Sequence, residues 1–544
     1  MDFVQRSTQD KFEFYRRGQR WDQAARLQFL FQRAVPNPNP DDTNDLARAA
    51  ALQQTRDARV ASGAQRYPNR GGGIADYRPV TDLERRQNIN ELIQLMWDHR
   101  DTLKFSRTLG WGGMSLATLW LWRDPATGRQ RPAVLKNALG DGARRHSNRV
   151  ALNNERQRLR LLARAKHIVQ RFRVADFIGA FAAAGIDDRL GVWLEWARKG
   201  DLDGLLSAVA EAVRAAQAGE RRFTRNWDGD ADFLPPLVVW QIFDCLAKAC
   251  IAMTYPPRLQ AWPAQDSAWQ ENGNPLREVI PPFPLAPHNM KANIIHFDLD
   301  PSNVFISGTD NDHQDVSRFQ VADFGLAETL QATRRAGDTG PLAPNRLPFS
   351  QAEQFTPDWD RVNLRSDPFT DGMTGLDQNP NHVAANYGPW SNIFQVGQIM
   401  WCCITLLKPN KAPIPQPMPT APGPVAARPR TYGADVLDQA YTDRYGQELC
   451  ELVARCMMHT PADRPTLNEL QAQLNALRPI GPVAPRTRAW VRKYFRDAPA
   501  ARAKLVDFDF RPQFDPATGV RNRLYYRNPR DANDHPTRLF TPFR

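Results

Sequence analysis

The chain has 544 residues, 42% of them hydrophobic, which is enough for two or three domains with a large buried core. Its net charge is +12, but residues 481–544 hold 14 Lys and Arg against six Asp and Glu, so the charge gives little reason to expect nucleic-acid binding by the rest of the chain. The longest apolar run, at 399–407, is too short for a membrane span, and the first residues lack a signal-peptide pattern. The six cysteines lack zinc-finger spacing and predict reduced thiols, so we expect a cytoplasmic or nuclear protein.

Residues 1–100 are predicted to form a flexible or partly helical extension. They are rich in Arg, Gln, Asp and Asn, and stretches with Pro or Gly at 35–42 and 69–73 interrupt them. Two patches within the extension, near 9–33 and 81–99, have a helical pattern.

From residue 103 onward, the pattern predicts strands. The segment 103–123 is typical of two strands around a glycine turn, and 131–139 and 190–197 are typical of further strands. Between them, 149–165 has apolar residues at helical spacing. The apolar positions of that predicted helix are Val150, Leu159 and Leu162.

After Gly200 the sequence becomes mostly helical, with a strongly apolar helix predicted over 237–253. Two proline-containing segments, near 256–291 and 408–430, are predicted to be surface insertions. Strands followed by helices predict an α+β fold with a small β-rich part and a larger helical part.

A polar loop is placed between strand-like residues in NIIHFDLDPSNVFI, at 293–306. If 295–306 and 319–324 pair as strands, polar groups of both segments meet at one point. Two carboxylates and an amide would then lie close together. The polar residues concerned are His296, Asp298, Asn303 and Asp323.

The order of motifs resembles the eukaryotic protein-kinase family over about 103–478. A glycine turn (LGWGGMSLA, 109–117) is followed by Lys136 in PAVLK, by Glu155 in a helix, by the His–Asp–Asn loop, and by DFG within 321–328. The resemblance implies a two-lobed protein-kinase-like fold. The implied domains are the extension (1–100), a kinase-like domain (101–480, with an N-lobe of about 101–197 and a C-lobe of about 198–480) and a basic, aromatic-rich tail (481–544).

The resemblance also implies an activity, namely transfer of the γ-phosphoryl group of ATP to Ser or Thr hydroxyls of a protein substrate. Asp298 would be the catalytic base, Asn303 and Asp323 would bind Mg²⁺, and Lys136, held by Glu155, would bind the phosphates. Other residues implied to surround the nucleotide are Gly110, Gly112, Gly113, Ala117, Val134, Glu195, Ala197 and Phe305. Supporting positions are His296, Phe324, Gly325 and an ion pair between Glu353 and Arg464.

Several positions depart from the family pattern. Phe297 replaces an arginine that reads a phosphate, Asn392 replaces an aspartate that supports the loop, and Asp300 replaces a lysine. Since Arg346 falls at or near the family's threonine partner of that lysine, we hypothesise an ion pair of reversed polarity between Asp300 and Arg346.

Two alternatives to an active kinase follow from the sequence. A pseudokinase scaffold, which binds nucleotide or partners without phosphotransfer, is favoured by Asp300 and Asn392. Nucleic-acid binding by the tail is suggested by ten aromatic residues among its basic ones. We expect instead that the tail packs on the kinase-like domain, because ten aromatics are too many for a solvated segment.

Overall fold

The structure is a computed structural model. It describes residues 88–89, 91–92, 96, 102–111, 115–123, 128–140, 142–172, 191–217, 233–257, 275–282, 292–329, 349, 351–355, 383, 387–409, 415–479, 481–497, 509–514 and 521–527. The helical patch predicted near 9–33 lies outside the described residues.

The structure combines strands and helices, as predicted. The strands are β1 (Leu103–Trp111), β2 (Ser115–Arg123), β3 (Gln130–Ala138), β4 (Arg171–Phe172), β5 (Gly191–Leu194), β6 (Ile294–Ile295), β7 (Val304–Ile306), β8 (Phe319–Val321), β9 (Glu328–Thr329), β10 (Gln416–Pro417), β11 (Arg430–Thr431), β12 (Asp509–Phe514) and β13 (Arg521–Arg527). The helices are α1 (Gly142–Leu161), α2 (Leu202–Gln217), α3 (Pro236–Thr254), α4 (Ala352–Phe355), α5 (Pro389–Thr405), α6 (Gln439–Tyr445), α7 (Gln447–Cys456), α8 (Leu467–Leu477) and α9 (Pro485–Val491).

The first five strands form an antiparallel sheet in the order β1-β2-β3-β5-β4. The predicted hairpin around the glycine turn is confirmed, since β1 and β2 pair from Leu103↔Trp122 to Trp111↔Leu116. Aromatic side chains cover one face: Trp120 packs edge-on against Phe105, with ring centroids 5.5 Å apart. Such cross-strand aromatic pairs stabilise neighbouring strands and their register.

Gly191 permits the close pairing of β5 with β3. A Cβ at this position would lie 2.0 Å from the carbonyl oxygen of Lys136, which is the partner strand's backbone. Only glycine can therefore occupy this point of the sheet.

Helix α1 is longer than predicted and buries a different stripe. Leu152, Leu159 and Leu162 are buried, whereas Val150 is 49% exposed. The prediction that Val150 belongs to the apolar face is therefore wrong. Two residues turn an α-helix by about 200°, so Val150 lies on the side opposite Leu152.

The helical part is built around α3 and α5, which pack against each other. Each begins with a proline in its first turn, Pro236 and Pro389, where the missing N–H has no intrahelical partner to lose. Helix α3 is long and apolar enough to cross a membrane, but 89% of its 18-residue apolar stretch is buried inside the protein. All six cysteines are free and buried.

Two short antiparallel strand pairs position the predicted polar loop. Strands β7 and β8 pair antiparallel from Val304↔Val321 to Ile306↔Phe319, which confirms the predicted pairing. Strand β6 pairs with β9 on the other side of the loop.

The two predicted insertions are not purely superficial. In the described part of the first, 275–282, Glu278 is only 5% exposed. The second contains the β10–β11 pair and a buried Met418. The prediction missed these contacts because they depend on partners distant in the sequence.

The beginning of the tail packs on the rest of the protein. After α9, residues Arg492–Asp497 form a π-helical turn, and Trp490, Tyr494 and Phe495 join the main buried core. The predicted packing is thus observed for 481–497, and β12 pairs with β13 further on.

Candidate functional site

Lys136 is the centre of a charged group formed by three distant segments. Its Nζ lies 2.8 Å from Glu155 Oε2 on α1 and 2.6 Å from Asp323 Oδ1 after β8. The Lys136 and Glu155 side chains are 12% and 1% exposed, whereas that of Asp323 is 39% exposed. The group is therefore open to solvent on the Asp323 side.

The proton affinities of this group follow from burial and charge. Burial raises the pKa of Glu155 to about 7, although the ammonium of Lys136 opposes the rise. Burial also opposes ionisation of Lys136, but the charges of Asp323 and Glu155 outweigh it and raise its pKa. Lys136 in turn holds the pKa of Asp323 below its ordinary value against the effect of burial.

Backbone geometry brings Asp323 to this position. Its φ of 63° is in the left-handed region, which non-glycine residues seldom adopt. Two residues later, the N–H of Gly325 points to Asp323 Oδ1 at 3.4 Å, and a Cβ on Gly325 would lie 3.2 Å from that oxygen. The bend thus leaves little room for a side chain at Gly325.

His296 connects the polar loop to the segment before Asp323. Its Nε2–H donates to the carbonyl oxygen of Ala322 at 3.0 Å, and its Nδ1 accepts from the N–H of Asp298 at 3.3 Å. Phe324 packs on its ring at a centroid distance of 4.9 Å. Burial lowers the pKa of His296 to about 4, so the imidazole is neutral at physiological pH.

Asn303 fixes the conformation of the loop around Asp298. Its Nδ2 donates to the backbone oxygen of Asp298 at 2.6 Å and lies 3.4 Å from the carboxylate oxygen Oδ2. The N–H of Ala322 donates to the carbonyl oxygen of Asn303 at 2.9 Å. The loop with Asp298 and the segment leading to Asp323 therefore form one hydrogen-bonded unit.

The sheet places several predicted nucleotide contacts in register with Lys136. Ala117 on β2 pairs with Gly110 on β1 and with Lys136 on β3. Val134 is two residues before Lys136 and therefore lies on the same face of β3. Phe305 on β7 is half-buried and forms an isolated bridge with Asp201, just beyond Ala197. Gly112, Gly113 and Arg346 lie outside the described residues.

Glu195 has a role that the sequence did not indicate. Its Oε1 accepts from the N–H of Gln170 at 2.9 Å and from Nε2 of Gln320 at 2.7 Å. The side chain of Glu195, which directly follows β5, thus links the end of β5 to Gln320 on β8. A glutamine within the apolar strand FQV was the one sequence signal for this network.

Asn392 makes two hydrogen bonds with the backbone before the loop. Its Oδ1 accepts from the N–H of His296 at 3.0 Å, and its Nδ2 donates to the carbonyl oxygen of Ile294 at 2.8 Å. An aspartate could accept the first bond but could not donate the second. The amide is therefore well matched to this backbone.

Phe297 is fully buried and packs edge-on against Tyr387, with ring centroids 4.9 Å apart. The side chain of Phe297 thus belongs to an apolar contact and not to a charged site.

Asp300 is 1% exposed and caps its own turn. The Oδ1 atom of Asp300 accepts from the N–H of Ser302 at 2.7 Å and from the hydroxyl of the same serine at 2.6 Å. Asp300 is therefore not exposed to solvent. Its hypothesised pairing with Arg346 stays a hypothesis.

A second buried ion pair lies in the helical part. Arg464 Nη1 and Nη2 donate to Glu353 Oε1 and Oε2 at 2.8 and 3.0 Å, and both side chains are fully buried. Ser391 Oγ also donates to Glu353 Oε1, at 2.7 Å. The contact predicted between Glu353 and Arg464 is present.

No family model matches this chain, and no curated protein is significantly similar to it.

Proposed function

We propose that the chain is a divergent protein kinase that transfers the γ-phosphoryl group of ATP to Ser or Thr hydroxyls of a protein substrate. The supporting observation is the contact of Lys136 with both Glu155 and Asp323, next to a loop that carries Asp298 and Asn303. The domain would have the two-lobed kinase-like fold, with the antiparallel sheet and α1 in the N-lobe.

The donor set fits ATP with Mg²⁺. Asp323 offers a partly exposed carboxylate. Because Nδ2 of Asn303 donates to Asp298, the Oδ1 atom of Asn303 is the one available to a cation. Both are oxygen ligands of the kind that Mg²⁺ prefers. When bound, ATP supplies the phosphoryl group and Mg²⁺ offsets the charge of its oxygens.

The chain's own residues would then act as follows. Lys136 holds phosphate oxygens and is itself oriented by Glu155, while Asp323 and Asn303 hold the metal. Asp298 orients the substrate hydroxyl and accepts its proton on a carboxylate oxygen. Neutral His296 keeps the backbone of Asp298 in place through its Nδ1.

Binding and transfer are tested separately. Calorimetry with ATP and Mg²⁺ should give an affinity at least about tenfold weaker for Lys136→Met and for Asp323→Asn, because each loses a phosphate or metal contact. Lys408→Met is the matched control, since Lys408 is 60% exposed and pairs with Asp203. Equal affinity in all four proteins, each shown to be folded by its thermal transition, would remove ATP from the proposal.

Phosphotransfer to a generic protein substrate should fall about 10²- to 10⁴-fold in Asp298→Asn, which loses the proton acceptor. Asp438→Asn, at an exposed carboxylate before α6, is the matched control and should retain activity.

A pseudokinase is the second candidate, and it is favoured by Asp300. The family's lysine is replaced there by a buried carboxylate that binds Ser302 instead of reaching the nucleotide site. Nucleotide binding that depends on Asp323, together with wild-type phosphotransfer no higher than that of Asp298→Asn, would establish this alternative.

A further inference from the structure

Two histidines and a cysteine converge in the interior, apart from the site above. His167 precedes β4, Cys245 lies on α3, and His313 lies in the turn between β7 and β8. One donor atom from each lies within 4.8 Å of the others, and all three residues are buried. The two Nε2 atoms are 3.3 Å apart, and Cys245 Sγ is 3.5 Å from His313 Nε2.

A carboxylate faces the far nitrogen of each imidazole. Glu278 Oε2 lies 3.0 Å from His167 Nδ1, and Asp310 Oδ1 lies 2.8 Å from His313 Nδ1. The carboxylates are themselves held, because Glu278 Oε1 accepts from the N–H of His167 at 2.8 Å and Asp310 Oδ2 accepts from Arg318 at 3.1 Å.

These carboxylates determine the tautomers. A carboxylate accepts hydrogen bonds, so Nδ1 is the protonated nitrogen of each neutral ring and Nε2 carries the lone pair. The two lone pairs then face each other at 3.3 Å, beside the sulfur of Cys245. Such an arrangement is repulsive unless a positive charge lies between the three atoms.

The two distances that involve His313 Nε2 are those expected around a tetrahedral zinc ion, and the third pair of donor atoms, His167 Nε2 and Cys245 Sγ, lies within 4.8 Å. With Zn–N of about 2.0–2.1 Å and Zn–S of about 2.3 Å, the edges of the tetrahedron are about 3.3 Å for N···N and about 3.6 Å for N···S. A carboxylate on the second nitrogen of a ligating histidine is also the common outer contact of zinc sites.

We propose that His167, Cys245 and His313 bind a zinc ion through Nε2, Sγ and Nε2. Two imidazoles and a thiolate are ligands that suit zinc. We expect water to be the fourth ligand. Because the three ligands come from distant segments, the ion would connect α3 to the β7–β8 turn and to the segment before β4.

The site has a structural role and is independent of the proposed kinase activity. The carbonyl oxygen of His167 accepts from the N–H of Val321, two residues before Asp323. Zinc would therefore fix the segment around His167, which is hydrogen-bonded to β8, without contacting the residues of the proposed nucleotide site.

Metal analysis of the full chain tests the proposal. Protein purified without chelators from zinc-supplemented cells and dialysed should retain about one zinc ion per chain. Stripping zinc with a strong chelator should lower Tm by several degrees, and added ZnCl₂ should restore it, because a ligand that binds only the folded state stabilises it. Cobalt(II) added to the stripped chain should give the near-ultraviolet absorption of a cobalt–thiolate bond.

Cys245→Ser should lose the zinc and the cobalt–thiolate absorption. Cys250→Ser is the matched control, since Cys250 is buried on the same helix outside the cluster and should keep both. If Cys245→Ser does not fold, the wild-type zinc content and cobalt spectrum still decide. Less than about one-tenth of a zinc ion per chain, with no cobalt–thiolate absorption and no effect of zinc on Tm, would mean that the cluster shares a proton instead and would overturn the proposal.

Discussion

His296 is a buried imidazole whose two ring nitrogens both bind backbone groups in the neutral form. Nε2–H donates to Ala322 and Nδ1 accepts from Asp298, so a proton added to Nδ1 would face the N–H of Asp298. Burial lowers the pKa of His296 to about 4, from an ordinary value of 6.5. Between pH 6.5 and about pH 4, His296 is therefore protonated in the unfolded chain but not in the folded chain. The free energy of unfolding falls as the pH is lowered through this range.

We expect His296→Gln to remove this pH dependence. The stability advantage of the wild type over the variant should be largest above pH 6.5 and should shrink by about 3 kcal/mol on acidification to pH 4. Urea unfolding at several pH values measures this difference. His146→Gln, at an exposed histidine, should instead leave the wild-type profile unchanged. A wild-type advantage over His296→Gln that is constant with pH would show that His296 is not held neutral.

The side-chain amide of Asn392 gives a prediction from its two hydrogen bonds. An aspartate at this position would place a carboxylate oxygen where Nδ2 now donates to Ile294, 2.8 Å from that carbonyl oxygen, in a fully buried position. We expect Asn392→Asp to lower the free energy of unfolding by about 3 kcal/mol or more. The loss should be smaller at pH 5 than at pH 8, since a protonated aspartate can donate. Chemical denaturation at both pH values would detect the difference, and a stabilised variant would contradict the prediction.

At the scale of elements, the pair of Glu353 and Arg464 joins α4 to the turn before α8. The guanidinium also donates to the carbonyl oxygens of Met458 and Trp390. Three separate segments thus converge on one buried side chain.

Arg464→Met is therefore expected to lower the free energy of unfolding by about 3–5 kcal/mol, because it leaves a buried carboxylate without its cation. Glu353→Met combined with Arg464→Met should lose less than the sum of the single changes. For comparison, Lys408→Met breaks the exposed pair with Asp203 and should change stability by less than about 1 kcal/mol. Additive losses in the double variant would show that the pair is not coupled.

The elements that the sequence predicted correctly are those with local signals. The β1–β2 hairpin follows from apolar strands around glycines, and α3 follows from its apolar periodicity. The contact between Lys136 and Glu155 was predicted from the order of the motifs. No local sequence signal indicates that β3 and α1 meet at these two residues.

Features missed by sequence reasoning depend mostly on long-range contacts. His167 and His313 are 146 positions apart, with no motif around either. Asp300 is different, since Asp-Pro-Ser is a local capping pattern in which a carboxylate binds the second residue after it.

For the molecule as a whole, the tail is part of the buried core at its beginning. Phe495 is 1% exposed, lies 6.1 Å from the ring of Phe319 on β8, and has the ammonium of Lys199 5.7 Å from its ring centroid. Trp490 packs on Phe495 at 5.7 Å. The aromatic residues at this point are thus turned inward, where they cannot stack on nucleic-acid bases.

Phe495→Ala tests whether this contact supports the whole fold. The cavity left beside Phe319 should lower the free energy of unfolding by about 3–5 kcal/mol, and the tail should become sensitive to limited proteolysis. Val425→Ala, at a side chain that is 60% exposed, should stay within about 0.5 kcal/mol of the wild type. Denaturant unfolding and timed proteolysis give the two measurements. Two results together would contradict the prediction: unchanged stability in Phe495→Ala, and binding of a single-stranded oligonucleotide that this substitution weakens. They would mean that the tail leaves the core to bind nucleic acid, which is the alternative suggested by its basic and aromatic composition.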